Sequence, residues 1–240
     1  MVKITINGQA IEAAAEETIL EVARKKGIDI PTLEGDAEIE PCGADHVCLV
    51  EITTADGRHR LVAASLYKVQ EGLAIQTDSQ WVNDTRRRVL AALWAKCSDS
   101  KPIADLASKY GLTLSCLPLI EGHGKCTLCG ICERICAKIV GVGAISLANQ
   151  NGEWSADLPD FSEACIGCGS CAYSCPNGAI SLEDSGDTRT VAMPHVVLGL
   201  KLKKCAKCGK YWAPERQLDY IASIAGLTPD GFATCPDCRD

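Results

Sequence analysis

A chain of 240 residues with 31 acidic against 24 basic side chains, formal charge -7, lacks the clustered Lys and Arg that supply most nucleic-acid affinity. No apolar run reaches the ~20 residues of a membrane span, and the opening Met-Val-Lys-Ile-Thr-Ile has no apolar signal core, so the chain is expected to be cytoplasmic. Sixteen cysteines in such a chain are metal ligands in a reducing compartment rather than disulfides, and the 47% hydrophobic content is enough for two or three small domains.

Val2 to Ile6 alternates apolar and polar residues as a strand does, Asn7-Gly8 is a hairpin turn, and a second strand is expected over Gln9 to Ala13. Thr18 and Glu21 form a capping box ahead of a helix whose buried face is Ile19, Leu20, Val22 and Ala23, ended by Gly27. Strand, hairpin, helix and the extended segment Ile28 to Leu33 open a β-grasp fold.

Four words, Ile30-Pro-Thr-Leu33, Gly43-Ala44, Cys48-Leu-Val-Glu51 and Glu71-Gly72-Leu73, resemble the N-terminal 2Fe–2S domain of the large iron–sulfur subunit of respiratory complex I, of hydrogenase diaphorase subunits and of iron-only hydrogenases. The resemblance implies four cluster-holding positions, here occupied by Glu34, Asp45, Cys48 and Ser65. Cys42 falls beside a ligand position, not on it. Three hard oxygen donors in place of soft thiolates suit a 2Fe–2S cluster poorly. Residues 1–78 are therefore expected to be a degenerate β-grasp domain, emptied of its cluster and kept for docking.

Residues 79–120 are expected to be a helical connector. Arg86 to Trp94 is strongly periodic, and Ile103 to Tyr110 forms a second helix capped by Gly111. The triple arginine Arg86, Arg87 and Arg88 is expected to be a solvated helix face. The same resemblance extends over Asp105 to Gly111, but the interval where the family often holds another 4Fe–4S cluster is shortened to Ala95–Pro102, with one cysteine and no histidine. Cys97 and Cys116 are expected to be ordinary small buried residues.

Residues 121–190 hold two runs, Cys126-x2-Cys129-x2-Cys132-x3-Cys136 and Cys165-x2-Cys168-x2-Cys171-x3-Cys175-Pro176. Each has the spacing of a bacterial two-cluster 4Fe–4S ferredoxin, in which three thiolates wrap one cluster and the fourth serves its neighbour. The expected sets are Cys126, Cys129, Cys132 and Cys175 for one cluster, and Cys165, Cys168, Cys171 and Cys136 for the other. Gly143-Ala-Ile-Ser-Leu147 and Gly178-Ala-Ile-Ser-Leu182 repeat letter for letter behind the two runs, the mark of a duplicated unit.

Residues 191–240 form a tail with a strand expected over Met193 to Leu200 and a helix over Pro214 to Ala225. Cys205 and Cys208 with Cys235 and Cys238 make two knuckles and one pocket of four thiolates. The set suits a structural zinc ion, and a third 4Fe–4S cluster or a mononuclear iron is also compatible with it. Lys201, Lys203, Lys204, Lys207 and Lys210 crowd this site as a counter-charge, a docking patch or a solvated face.

No phosphate-cradling glycine loop occurs, and His46, His59, His123 and His195 are scattered. The α+β chain is expected to be a non-catalytic electron-transfer subunit that relays single electrons from a flavin subunit or a ferredoxin to a catalytic oxidoreductase subunit. The whole layout resembles the small iron–sulfur subunit of tungsten-containing class II benzoyl-CoA reductase. An electron-input subunit of a hydrogenase or formate dehydrogenase, and an adaptor whose clusters only stabilise the fold, are the alternatives.

Overall fold

Alternation along Val2–Ile6 buries Ile4 and Ile6 and leaves Lys3 outside, giving strand β1. The computed structural model describes residues 1–33, 46–113, 124–147 and 159–239, grouped into two units, Met1–Cys129 and Gly130–Asp240. Glu34, Cys42, Asp45, Cys116 and His123 lie outside the described residues.

In the first unit β1 turns through Asn7 and Gly8, both at positive φ (51° and 82°), into β2 (Gln9–Ala13). This is the left-handed pair that a two-residue hairpin needs. Helix α1 (Ile19–Lys25) starts at a reciprocal capping box: the Glu21 N–H donates to Thr18 Oγ1, and the Thr18 N–H to the Glu21 carboxylate. With β3 (Leu49–Thr53), β4 (His59–Ala63) and β5 (Ala74–Gln76) the sheet runs β2-β1-β5-β3-β4, with β1 and β5 parallel. Ile19, Leu20, Val22 and Ala23 of α1 share one core with Ile4, Ile6, Ile52 and Ile75 of the sheet.

Helices α2 (Gln80–Lys96) and α3 (Lys101–Lys109) pack around Leu90, Trp94, Cys97, Ile103 and Ala107, and Leu33 and Val47 join this second core. The expected solvated arginine face is corrected here. Arg87 and Arg88 are exposed, but Arg86 is only 2% exposed. It lies four residues from Val82 and from Leu90, on the buried stripe of α2. Its guanidinium donates to the carbonyls of Val47, Leu49 and Thr77 and to the Tyr110 hydroxyl, all neutral acceptors. The Val47 and Leu49 carbonyls flank Cys48, so one buried cation holds the start of β3 against α2.

In the second unit, α4 (Ile131–Arg134) runs directly into a π-helical turn (Ile135–Ile139), and α5 (Ser170–Tyr173) is its counterpart in the second run. Short strands β6 (Ile145–Ser146) and β7 (Asp160–Phe161) pair with each other. Strands β8 (Ser181–Ser185), β9 (Thr188–Met193), β10 (Val196–Lys204) and β11 (Tyr211–Pro214) form an antiparallel sheet ordered β11-β10-β9-β8. The strand expected over Met193 to Leu200 is instead a hairpin broken at Pro194-His195, where proline supplies no N–H for a ladder. The sheet also runs through the boundary expected between residues 190 and 191. Helix α6 (Glu215–Ala225) follows β11 and ends at Gly226, φ 63°.

Removing the Arg86 guanidinium takes a donor from two buried carbonyls and one partly buried one, and a lost bond at a buried group costs about 1–3 kcal/mol. Arg86→Ala should therefore lower stability by about 3 kcal/mol or more, against about 0.5 kcal/mol or less for Arg87→Ala. Urea unfolding followed by tryptophan fluorescence measures both, and an Arg86→Ala protein as stable as the parent would refute the assignment.

Candidate metal centres

Each cysteine run is built on the same left-handed backbone positions. Leu128 in the first run and Gly167 in the second occupy the residue before the second cysteine, with φ 58° and 72°. A leucine in that region is unusual, so the loop geometry prevails over the residue's own preference. Gly130 (φ 71°) and Gly169 (φ 80°) follow the second cysteines and start α4 and α5.

The repeated pentapeptide serves both runs alike. Gly143 and Gly178 have φ 62° and 59°, and the next N–H, of Ala144 or Ala179, donates to the fourth cysteine sulfur, Cys136 or Cys175, at 3.2 Å in both cases. The final leucines close on the loop glycines. A Cβ on Gly130 would stand 3.3 Å from Leu147, and one on Gly169 would stand 2.8 Å from Leu182.

Cys136 lines one apolar cavity together with Cys165, Cys168 and Cys171, between Val142, Ile145 and Val191, around about 360 Å³ of space partly open to solvent. The π-helical turn is what delivers Cys136 there from the end of the first run. Burial pushes the Cys165 thiol above its usual range and that of Cys171 up to about 12, with the neighbouring thiols of Cys136 and Cys168 adding to both. Such thiols give up their protons to a metal rather than to water. Four soft donors from two segments, with a backbone N–H on one sulfur and apolar walls, fit an iron–sulfur cluster.

Cys126 and Cys129 belong to the end of the first unit, and Cys132 and Cys175 to the second. Cys97, expected to be an ordinary small buried residue, is buried and donates from Sγ to the Cys126 carbonyl at 3.0 Å, and burial first, then the Cys126 thiol, raises its pKa to about 11. It ties the first cysteine of the run to the turn between α2 and α3.

In the tail, Cys205, Cys208, Cys235 and Cys238 have all four sulfurs within 4.8 Å of one another, with Cys208 and Cys235 at 3.8 Å. Among the described residues this is the one group of three or more metal-type ligands so tightly gathered. The N–H groups of Cys208 and Cys235 point at Cys205 Sγ (3.5 and 3.3 Å) and hold its pKa down to about 6, which favours a thiolate. The Ala206 N–H bonds the Ala233 carbonyl at 2.8 Å and ties the two knuckles together.

At the β-grasp positions, Cys48 Sγ and Ser65 Oγ lie 3.2 Å apart, 0% and 1% exposed. One thiol in direct contact with a hydroxyl does not fit a 2Fe–2S cluster, which four soft sulfurs hold. Glu34 and Asp45, the other two positions, are outside the described residues.

Residues 1–80 match the family model of the 2Fe-2S iron-sulfur cluster binding domain, and residues 160–181 that of the 4Fe-4S binding domain. The chain carries iron–sulfur domains. It is 30% identical over 75% of its length to the NADPH-Fe(3+) oxidoreductase subunit alpha of Geobacter sulfurreducens, covering 24% of that protein. It is 27% identical over 88% of its length to an NADH-quinone oxidoreductase subunit of Rhizobium meliloti, covering 28%. With the NADP-reducing hydrogenase subunit HndD of Solidesulfovibrio fructosivorans it shares 28% identity over 75% of its length and 36% of the relative's. The chain thus spans roughly a quarter to a third of these relatives. In structure it is similar to the NAD+-reducing [NiFe]-hydrogenase in the H2-reduced state, with TM-score 0.52, 25% identity, and coverage of 62% of this chain and 71% of that one. No helix among the described residues is long and apolar enough to cross a membrane.

Gly169 and Gly186 both have positive φ, but only at Gly169 would a Cβ strike a neighbour. Alanine at either should cost about 1–2 kcal/mol of backbone strain, and Gly169→Ala about 1–3 kcal/mol more for overpacking Leu182. Thermal unfolding of the two variants tests this, and equal losses would deny the close packing of the loop on Leu182.

Proposed function

We propose that the chain is the iron–sulfur electron-transfer subunit of a larger oxidoreductase of the hydrogenase or pyridine-nucleotide-linked kind. In this reading Cys165, Cys168, Cys171 and Cys136 hold one 4Fe–4S cluster, and Cys126, Cys129, Cys132 and Cys175 the other. The observation that supports it most is the cavity shared by Cys136 with Cys165, Cys168 and Cys171, because a fourth cysteine that faces the other run's loop is what a two-cluster ferredoxin requires. The clusters supply one-electron chemistry. The chain's own residues exclude water with Val142, Ile145 and Val191 and aim the Ala144 and Ala179 N–H groups at cysteine sulfur. Hydrogen bonds and burial of this sort set reduction potential.

The relatives named above are subunits of NAD(P)-linked oxidoreductases and of a hydrogenase. They favour a hydrogenase-type catalytic partner over the tungsten enzyme expected from the layout. The electron donor is a flavin-containing subunit or a ferredoxin, and the emptied β-grasp domain serves as a docking module.

For the tail we take a single tetrahedral zinc ion. Zinc–sulfur bonds of about 2.3 Å place sulfurs about 3.8 Å apart, and the Cys208–Cys235 separation is 3.8 Å. A cubane, with four irons and four sulfides inside it, would hold the thiolates much farther apart.

Anaerobically purified protein should then contain about eight iron atoms and about one zinc per chain, and dithionite should bleach its visible absorbance reversibly. About twelve irons and no zinc would transfer the tail to a third cluster. Cys136→Ala should lose one cluster and Cys175→Ala the other, distinguishable by electron paramagnetic resonance. The lost signals are identified against the loop variants: Cys136→Ala should lose the signal that Cys168→Ala loses, and loss instead of the signal that Cys129→Ala loses would refute the crossed ligand sets. Redox-silent clusters would turn the relay into an adaptor.

A further inference from the structure

Helix α6 comes from the zinc-type tail, yet two of its side chains reach the two segments that meet at the Cys136–Cys171 cavity. Arg216 donates from Nη1 to the Glu163 carbonyl at 3.0 Å and to the Cys165 carbonyl at 3.5 Å, at the entrance of the second cysteine loop. One turn on, the Tyr220 hydroxyl donates to the Val140 carbonyl at 2.8 Å, the residue that ends the π-helical turn carrying Cys136. Tyr220 Oη also stands 3.0 Å from where a Cβ on Gly141 would lie. The strands ahead of α6 add to this contact. Leu200 of β10 and Pro214 at the end of β11 would stand 2.8 Å and 3.1 Å from a Cβ on Gly167, so only glycine admits them against the loop. Arg189 closes the loop from the other side, its Nη1 on the Gly167 carbonyl at 3.1 Å, but its charge is matched by Asp184. No carboxylate among the described residues pairs with Arg216.

We propose that α6 is a clamp on the second cluster site, with Arg216 and Tyr220 as positioning residues that hold the Cys165 and Cys136 segments together, and with Arg216 also setting the potential there. The proposal rests on the crossed ligand set put forward above. Its physical basis is that ligands from two segments stay convergent only if the segments themselves are tied, and α6 has one tie to each. The charge works in a definite direction. Reduction adds an electron to the site, and a guanidinium at the Cys165 carbonyl, with no carboxylate partner among the described residues, favours the reduced state. Solvent around the exposed Arg216 moderates that effect.

The test uses the full holoprotein with Arg216→Gln, Arg216→Lys and Tyr220→Phe. In Arg216→Gln one of two midpoint potentials should fall, by about threefold in the reduction equilibrium, or roughly 30 mV at 59 mV per tenfold. Arg216→Lys should restore it. Tyr220→Phe should release iron to a chelator severalfold faster from that same cluster. Both effects should vanish in a Cys136→Ala background, where only the other cluster remains. Two unchanged potentials and unchanged iron release, in variants that keep the parent iron content, would overturn the clamp. Failure of the crossed ligand set looks different, since Cys136→Ala would then lose the cluster that Cys129→Ala loses, and the Arg216→Gln shift would persist in that background.

Discussion

Four thiols have to be drawn from two separate stretches of chain onto one apolar cavity, and the backbone of the second unit is shaped by that requirement. A loop that turns three cysteines inward needs left-handed residues at fixed places, and both runs have them, one using Leu128 where the other uses Gly167. The fourth cysteine of the first run lies beyond its own loop, on the cavity of the second. For Cys136 this is achieved by widening a helix to a π turn, a rare conformation that tends to occur at functional sites.

The repeated Gly-Ala-Ile-Ser-Leu segments acquire a physical role from the same requirement. Their glycines turn the following N–H toward sulfur, and their leucines wedge against the loop glycines. Backbone N–H groups on ligand sulfur are one of the features that set a cluster's potential, which gives the repeat a role beyond packing. The tail is drawn together more tightly, with N–H donors on Cys205 and four sulfurs within 4.8 Å of one another. In both places burial resists ionisation while backbone dipoles assist it, so metal binding and local folding are expected to proceed together.

The first unit depends on a different device. Arg86 carries a full charge into the core, where carbonyls and the hydroxyl and ring of Tyr110 receive it among the described residues. At its aligned position Cys48 is as buried as a ligand would be, and its described neighbour there is the Ser65 hydroxyl. A fold related to a cluster domain thus relies on hydrogen bonding to neutral groups at this point of its framework.

Local chemistry made much of this protein legible from sequence alone. The Asn7-Gly8 turn, the Thr18–Glu21 box, the helix ends and the cysteine spacings depend on residues a few positions apart, where short-range geometry decides the outcome. The tail quartet was also legible, because two C-x2-C pairs each preform half of a site. Other features lay beyond that range. The burial of Arg86 had a signal in its four-residue spacing from Val82 and Leu90, but its charge argued for solvent until distant carbonyls were seen to receive it. Pro194 broke an expected strand, and the partners of Cys97, Arg216 and Tyr220 are carbonyls 29 to 80 residues away. Composition and spacing determined which atoms could bind metal. Only tertiary structure decided which backbone groups hold them in place, because a carbonyl has no residue identity to be read until the chain brings it there.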